Sequence, residues 1–384
     1  MQYSSDMKLV YVTENINAVF YSQVAELLNN IAEESHFKKI YLCIGVRDKE
    51  SVETIINLNP KIELMSFKTY PMYPVLNSFI ENELFNLFKS LGIDDNYIIH
   101  TRIEFLGALA YRSYFKLNSK KPNLFIDIRG SVIEEVKLYG KMKPLLKLFK
   151  LLGYKRKIQK VLNNTRYINT VSNELKVYIQ KNYTIDPNCI SVIPTIAGKN
   201  FYYSKGIREK LRISIGIEKN EILFVFSSGS SQAWQKEDEL VDNLTGKGYK
   251  ILMLTKKKYD NPNVISRFVP YSEVSSYLCA ADIGIIIRND DIVNNIASPI
   301  KFSEYLACGL PIISNRSVEM INTLIENTAF GSVITLSGLN QQIIDNLLQL
   351  DRENISKVGI ENFGIQQVTD SYLSIYKKIE KDLK

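Results

Sequence analysis

The feature that most constrains this fold is an alternation of two kinds of segment along the chain. Short apolar runs rich in β-branched and aromatic residues alternate with longer runs such as Gln23–Ile31 and Val75–Leu91, where apolar residues recur at helical spacing. Strands of a buried parallel sheet are continuous apolar runs, and the helices that connect them cover both of its faces. The alternation therefore predicts a doubly wound α/β fold.

The alternation restarts once, which predicts two domains. The first set of predicted strands comprises Lys8–Thr13, Lys39–Gly45, Ile62–Phe67, Tyr97–His100, Asn123–Ile128, Arg166–Val171 and Ile190–Pro194. The second set comprises Glu221–Phe226, Lys250–Leu254, Val264–Phe268, Asp282–Ile287 and Pro311–Ser314. We predict Rossmann-like domains over residues 1–197 and 206–365 and a last helix over residues 366–384. Such domains leave a cleft that is lined by the carboxyl ends of strands.

Composition excludes several classes of protein. With 45% hydrophobic and 23% charged residues, the chain is globular rather than disordered. Its two histidines and four widely spaced cysteines argue against a zinc or His-rich metal site. No signal-peptide pattern is visible, and no apolar run approaches the roughly 18 residues of a membrane span. We therefore expect a cytoplasmic protein with reduced thiols.

The segment Ser298–Pro311 (SPIKFSEYLACGLP) is bracketed by helix-capping residues. Ser298 is predicted as the N-cap and Pro299 as the first helical residue. Gly309 is predicted to close the helix in the left-handed conformation. A helix of about ten residues should therefore follow the predicted strand Asp282–Ile287.

Lys301 and Glu304 are the residues of this helix that indicate ligand binding. The helix dipole disfavours a cation in the first turn by about 0.3–1 kcal/mol. An anion such as a phosphate that binds there would make the cation favourable. Glu304, one turn later, is suited to accept hydrogen bonds from ribose hydroxyl groups. The alternative is a surface Lys301–Glu304 pair worth a few tenths of a kcal/mol.

The sequence ASPIKFSEYLACGLPII resembles the nucleotide-sugar motif of retaining glycosyltransferases of the GT-B fold, family 4. That motif is a helix with the pattern E-x7-E that ends in A-x-G-x-P-V-I. Glu304 matches the second Glu, which the resemblance places on the nucleotide ribose, and Ile296 stands where the first Glu is usual. The S-P-x-K version is similar to the branch found in bacterial surface-polysaccharide loci. The resemblance also implies a last helix that crosses back to the first domain.

Two further segments of the second domain match this family. In FVFSSGSSQAWQKEDEL, small residues including Gly229 and Ser230 let backbone N–H groups approach an anion. The resemblance puts this loop under the donor diphosphate, with Gln235 and Lys236 beside it. In ADIGIIIRNDD, Arg288 stands at a strand's carboxyl end; the alternative is a surface arginine paired with a neighbouring aspartate.

The predicted first domain contributes a second group of candidate residues. LFIDIRGSVIEE resembles the D-x-R-G-x3-E pattern of some bacterial members, with Asp127 placed to orient an acceptor hydroxyl and Arg129 to stabilise phosphate charge. An ion pair that merely holds the loop is the alternative. The acceptor-binding candidates are Ser22, His100, Arg102 and Glu135. A buried, hydrogen-bonded His100 is an equally weighted interpretation.

A basic stretch interleaved with leucines runs from Lys137 to Lys160. It contains nine Lys or Arg residues and no Asp or Glu. This composition favours a helix that lies on an anionic membrane surface, where each basic residue adds about 1 kcal/mol. The alternatives are an ordinary solvated helix face and RNA binding, although no RNA-recognition module accompanies the stretch. We predict peripheral attachment to the inner face of the cell membrane.

Together these features predict a retaining glycosyltransferase that moves a sugar from a UDP- or GDP-linked donor to a hydroxyl of a lipid-linked surface glycan. Lys301, Arg288 and the helix N-terminus would supply positive charge, so we expect neither a metal nor a cofactor. A nucleotide-sugar 2-epimerase and a catalytically silent scaffold module of the same fold are the alternatives. UDP and GDP donors are equally compatible with the sequence, and nucleic acid is not expected as a partner.

Overall fold

The computed structural model describes residues 7–14, 19–47, 57–71, 76–228 and 235–383. The chain divides into two compact units. Met1–Pro194 and Thr369–Lys384 form the first unit, and Thr195–Val368 form the second. The described part of each unit is built on one parallel sheet flanked by helices.

The sheet of the first unit has its strands in the order β3-β2-β1-β4-β5-β6-β7, and every described pair is parallel. The strands are β1 Lys8–Glu14, β2 Ile40–Val46, β3 Ile62–Lys68, β4 Tyr97–Arg102, β5 Asn123–Ile128, β6 Tyr167–Thr170 and β7 Ile190–Val192. The direction of winding reverses between β1 and β4. In open parallel sheets, ligands bind beside the carboxyl ends of the strands at such a switch point.

Helices cover this sheet. They are α1 Glu26–Glu34, α2 Asn77–Leu91, α3 Glu104–Asn118, α4 Val132–Tyr139, α5 Pro144–Leu162 and α6 Asn173–Asn182. A π-helical turn, Tyr21–Ala25, precedes α1. The basic stretch is therefore not one helix, because α4 ends at Tyr139 with Gly140 as its C-cap, and α5 begins at Pro144, where proline is favoured.

The sheet of the second unit repeats this plan with the order β10-β9-β8-β11-β12-β13, so its switch point lies between β8 and β11. Its strands are β8 Leu223–Ser227, β9 Lys250–Leu254, β10 Val264–Arg267, β11 Ile283–Ile286, β12 Ile312–Ser314 and β13 Gly331–Val333. Its helices are α7 Lys205–Ser214, α8 Glu237–Gly246, α9 Tyr271–Ala280, α10 Ile292–Asn295, α11 Ile300–Ala307, α12 Glu319–Thr328, α13 Gln341–Leu348 and α14 Arg352–Phe363.

The last helix, α15, spans Ile365–Asp382, and its residues from Thr369 onward belong to the first unit. Within that unit it buries the aromatic rings of Tyr372 and Tyr376, each 1% exposed. Both rings lie near Phe125 of β5, with centroids 6.0 Å away in each case. The segment is therefore part of the core of the first unit.

Helix α11 is held in the second unit by close backbone packing. At Gly284 of β11, an added Cβ would lie 2.4 Å from the Tyr305 ring, so the glycine makes room for that tyrosine. The Tyr305 hydroxyl in turn accepts a hydrogen bond from the backbone N–H of Ser227, at the end of β8, over 2.8 Å. One helix is thereby fixed to both strands of the switch point.

No helix within the described ranges combines the length and the apolar character that crossing a bilayer requires.

Candidate functional site

The N-terminus of α11 lies after the switch point of the second sheet, but its capping differs from the sequence prediction. Pro299 is the N-cap, and no side chain caps the helix. The Ser298 hydroxyl instead contacts the hydroxyl of Thr195 at 2.9 Å and accepts from the Thr195 backbone N–H at 3.2 Å. The prediction of Ser298 as N-cap was therefore wrong, because a tertiary partner engages its hydroxyl. The left-handed Gly309, with φ 70°, is confirmed.

Lys301 and Glu304 form an ion pair with 2.7 Å between Nζ and Oε2. The Glu304 side chain is 1% exposed, whereas that of Lys301 is 27% exposed. Burial raises the pKa of Glu304, and the adjacent Lys301 opposes that rise. The pair is thus anchored in the interior and is not the surface pair that the sequence left open. A buried carboxylate with an accessible ammonium offers an acceptor for hydroxyl groups beside a cation for phosphate.

Arg288 lies two residues after the end of β11, at the carboxyl edge of the switch point. Two side chains after β12 hold its backbone: the Asn315 amide bonds both its N–H and its carbonyl, and the Ser317 hydroxyl donates to that carbonyl at 2.8 Å. The guanidinium group donates to Asn294 Oδ1 at 3.3 Å. Since a fork of N–H donors suits phosphate oxygens, this placement fits a diphosphate-binding arginine.

Gln235 lies at the same edge, beside Arg288. Gln235 pairs with Arg288 in an isolated antiparallel bridge, and its side-chain oxygen accepts from the Ser228 hydroxyl at 2.8 Å. Lys236 is the N-cap of α8 and forms an ion pair with Glu239 over 3.0 Å. The candidates Gly229 and Ser230 lie outside the described residues.

In the first unit, a cavity of about 500 Å³ opens at the switch point between β1 and β4. Its lining includes the charged residues Glu14, Arg102, Arg129, Glu135 and Lys150. Of the first-domain candidates, Arg102, Arg129 and Glu135 are thus brought together. Ser22, which is 1% exposed, lies in the π-helical turn and donates to the Val19 carbonyl at 3.3 Å.

Asp127 lies behind this cavity and is completely buried. Its carboxylate accepts hydrogen bonds from Asn169 at 2.8 Å, from the Tyr372 hydroxyl at 3.0 Å and from Arg129 at 3.5 Å. Burial opposes ionisation, but Arg129 and the other neighbouring donors and charges hold the pKa of Asp127 below its ordinary value. This geometry suits Asp127 better as an anion that holds Arg129 in place than as a group that contacts the acceptor.

His100 is also completely buried, in the middle of β4. Its Nδ1 is 2.6 Å from the Tyr376 hydroxyl, and its ring lies 4.3 Å from that of Tyr11 between centroids. Burial lowers the pKa of His100 to about 3, so the imidazole is neutral. Of the two interpretations left open by the sequence, this geometry matches the buried, hydrogen-bonded histidine.

Sequence reasoning missed several residues that shape the two regions. Asn315 could have been predicted from the sequence, since it directly follows a predicted strand and therefore lies at the carboxyl edge of the sheet. No local sequence pattern indicates the roles of Gln23 and Tyr372, because their partners are distant in sequence. Arg129, for example, donates to Gln23 Oε1 at 3.3 Å, across 106 positions. Within the described ranges, no group of three or more His, Cys, Asp or Glu residues is arranged to hold a metal ion.

Comparison with solved structures shows several full-length likenesses at low sequence identity. Sucrose-phosphate synthase from Thermosynechococcus elongatus matches with a TM-score of 0.73 and 13% identity, covering 97% of this chain and 99% of that one. WaaG, a glycosyltransferase involved in lipopolysaccharide biosynthesis, matches at 0.64 and 15%, covering 98% of each chain. Anabaena HepE in complex with UDP-glucose matches at 0.67 and 11%, covering 98% of this chain and all 100% of that one.

No protein-family model matches the sequence, and neither does any curated protein. The likenesses define the architecture: two parallel sheets with interleaved helices give the chain the α/β GT-B fold. A fold is shared by proteins of different function, so activity must be argued from the site itself.

Proposed function

We propose that the protein is a retaining, metal-independent glycosyltransferase that uses a nucleotide diphosphate sugar. The observation that carries the proposal is the buried Glu304 paired with Lys301 on α11, with Arg288 at the same switch point. The family 4 resemblance of this segment supports the assignment of Glu304 to the nucleotide ribose. The UDP-glucose complex of HepE, which has the same fold, supports a UDP-linked donor.

In this proposal the second unit binds the donor and the first unit binds the acceptor. Lys301, Arg288 and Lys236 stabilise the negative charge that develops on the departing diphosphate, while Gln235 and the loop after β8 position it. The departing phosphate oxygen takes the proton of the acceptor hydroxyl on the same face of the sugar, so no side chain acts as a nucleophile. Because these cations neutralise the leaving group, the reaction needs no metal ion.

We further propose a bacterial surface glycan on a lipid carrier as the acceptor. The S-P-x-K version of the motif supports this proposal, as does the described role of WaaG in lipopolysaccharide biosynthesis. An anionic membrane surface is the corresponding partner, through the segment Lys137–Lys160. The protein would then work as a peripheral protein on the inner face of the cell membrane.

The exposed face of α5 supports the membrane proposal. Leu145, Phe149, Leu152, Arg156 and Lys160 follow one another at spacings of four, three, four and four residues, so they form one stripe along the helix. Its apolar residues are exposed, from 47% at Leu152 to 66% at Leu145. The α5 stripe therefore presents exposed apolar side chains followed by cations along one helix face, and apolar contact and positive charge are the two contributions that bind a helix to an anionic bilayer surface.

The donor assignment is tested by thermal unfolding with UDP, GDP, CMP, ADP and NAD in EDTA. A ligand at 100 times its Kd adds about 2.7 kcal/mol of stability, so we expect UDP or GDP alone to raise the Tm. Glu304→Gln, which keeps the buried side chain but removes its charge, should weaken that shift because the ribose hydroxyl groups lose a charged acceptor.

Glu221→Gln is the matched control for this experiment. Glu221 pairs with Lys250 over 2.6 Å, but it precedes β8 and so lies at the amino edge of the same sheet. This variant should keep the full nucleotide shift. A Tm that no nucleotide changes, or an equal loss in both variants, would contradict the donor site. Product analysis without an acceptor separates transfer from 2-epimerisation.

A further inference from the structure

We propose that the cavity of the first unit binds its ligand through an anionic group, a phosphate or a carboxylate, held jointly by Arg102 and Arg129. The inference rests on the proposed function in one respect: it identifies that ligand as the acceptor. The acceptor would then be a sugar that carries a negative charge near the hydroxyl that reacts.

The position of the two arginines is set by the sheet. Arg102 ends β4, one of the two strands at the switch point, and Arg129 follows the neighbouring β5. Both guanidinium groups reach Gln23 in the π-helical turn, one at its backbone carbonyl at 3.4 Å and the other at its side-chain oxygen at 3.3 Å. Two cationic forks thus converge on one residue at the wall of the cavity.

The two arginines differ in their ion-pair contacts. Asp127 is the carboxylate in ion-pair contact with Arg129, and in the described part of the chain Arg102 has no carboxylate within ion-pair distance. His100 contributes no charge, because burial keeps it neutral. In the described part of the chain, Asp127 is therefore the one carboxylate in ion-pair contact with this pair of guanidinium groups, while Glu14, Glu135 and Lys150 line the same cavity. A bound anion would relieve their repulsion and accept from both forks.

The backbone at this wall is strained, and strained residues cluster at functional sites. Ile103, between Arg102 and α3, has φ 74° and ψ 144°, a region that β-branched residues almost never adopt. Its N–H donates to the Asp127 carbonyl at 2.8 Å, so β5 holds it there. Ile103 lines the cavity, and its strained conformation sets where the chain turns after Arg102.

The rest of the lining suits the neutral part of a sugar. Glu14, at the end of β1, and Glu135, on α4, supply carboxylates that accept from hydroxyl groups, while Val19, Phe20 and Val24 form an apolar wall. A volume of about 500 Å³ is in the range of small-molecule sites. The cavity therefore combines cationic donors for an anion with carboxylate acceptors for hydroxyl groups, a set of groups that suits an anionic sugar.

The test is calorimetric titration of the full chain with glucose 6-phosphate, glucuronate, inorganic phosphate and glucose. We expect at least one of the three anions to bind and neutral glucose to bind at least about tenfold more weakly. A preference for the phosphates or for glucuronate identifies the anion as phosphate or carboxylate. If no anion binds, or if glucose binds as well as the anions, the proposal is overturned.

Variants locate the binding. Arg102→Gln should weaken anion affinity at least about tenfold, and Arg102→Lys should recover only part of it because an ammonium lacks the fork. Arg166→Gln, at an exposed arginine of the same unit, should change nothing. Equal affinity in Arg102→Gln and the wild type overturns the proposal. If Arg102→Gln fails to fold, wild-type affinity in the folded Arg102→Lys variant overturns it instead.

UDP titrations keep the two proposals separate. Anion binding that depends on Arg102, without any nucleotide binding, would support the anion site and contradict the proposed glycosyltransferase activity. Nucleotide binding without anion binding that depends on Arg102 would support the glycosyltransferase proposal and contradict the anion site.

Discussion

Glu104 is a buried carboxyl group in the segment that follows the cavity-lining Ile103, and its burial has an electrostatic cost. It is the first residue of α3, follows the strained Ile103 and is 3% exposed. Burial raises the pKa of Glu104 from 4.5 to about 7, and the backbone N–H groups of Glu104 and Val132 offset that rise only in part. Its Oε2 atom has no hydrogen-bond partner among the described residues.

This cost makes stability depend on pH. The unfolded Glu104 loses its proton near pH 4.5 and the folded one near pH 7, so the folded state binds more protons and stability falls as pH rises between these values. The penalty approaches about 3 kcal/mol above pH 7. Glu104→Gln should therefore gain stability relative to the wild type between pH 5 and pH 8, as measured by calorimetry. The exposed Glu273→Gln should not, and an equal pH dependence in the wild type and Glu104→Gln would contradict this account.

Single residues also mark the limits of sequence reasoning. The left-handed conformation of Gly309 could be predicted from local rules, because helices commonly end at a glycine in this conformation with a proline one or two residues later. The engagement of Ser298 by Thr195 does not, since the two are 103 positions apart. The hydrogen bond from Tyr372 to Asp127 joins positions 245 apart, and no local pattern announces it.

At the scale of elements, apolar runs located the strands well because each central strand is buried on both faces. All twelve predicted strands are present within a few residues of their expected bounds. The strand that was missed, β13, lies at the edge of its sheet, and its three residues are only partly buried. An edge strand needs no continuous apolar run, so composition alone could not reveal it.

The placement of α11 depends on one glycine of a neighbouring helix. At Gly359 of α14, an added Cβ would lie 2.6 Å from the carbonyl carbon of Leu306, a backbone atom that cannot move aside cheaply. Gly359→Ala should therefore cost about 1–3 kcal/mol, measured by urea unfolding, and should weaken nucleotide binding by shifting α11.

Gly206→Ala provides the contrast in α7. An added Cβ there meets nothing within 4 Å, so alanine should be neutral or stabilise by up to about 1 kcal/mol. Destabilisation of the same size in both variants would show that close packing does not explain the effect at Gly359.

At the scale of the whole molecule, the α5 stripe bears on where the protein works. We expect the chain to sediment with vesicles that contain phosphatidylglycerol, but not with pure phosphatidylcholine, and to be released by salt. Phe149→Ser should reduce this binding because it removes an exposed ring at the apolar end of the stripe. Phe268→Ser is the matched control: both phenylalanines are 62% exposed, and Phe268 lies in the second unit. Equal loss in both variants would count against the membrane-bound helix.

The division of the first unit between two stretches of chain has a consequence for synthesis. Residues 195–368 leave the ribosome as one uninterrupted stretch, and they contain the whole second unit. The first unit begins the chain, yet Asp127 and His100 lack their tyrosine partners until Thr369–Lys384 has been made. Domains generally complete folding in the order of translation. We therefore expect residues 195–368 to be able to fold before the first unit, whose buried polar network stays incomplete until Thr369–Lys384 has been synthesised.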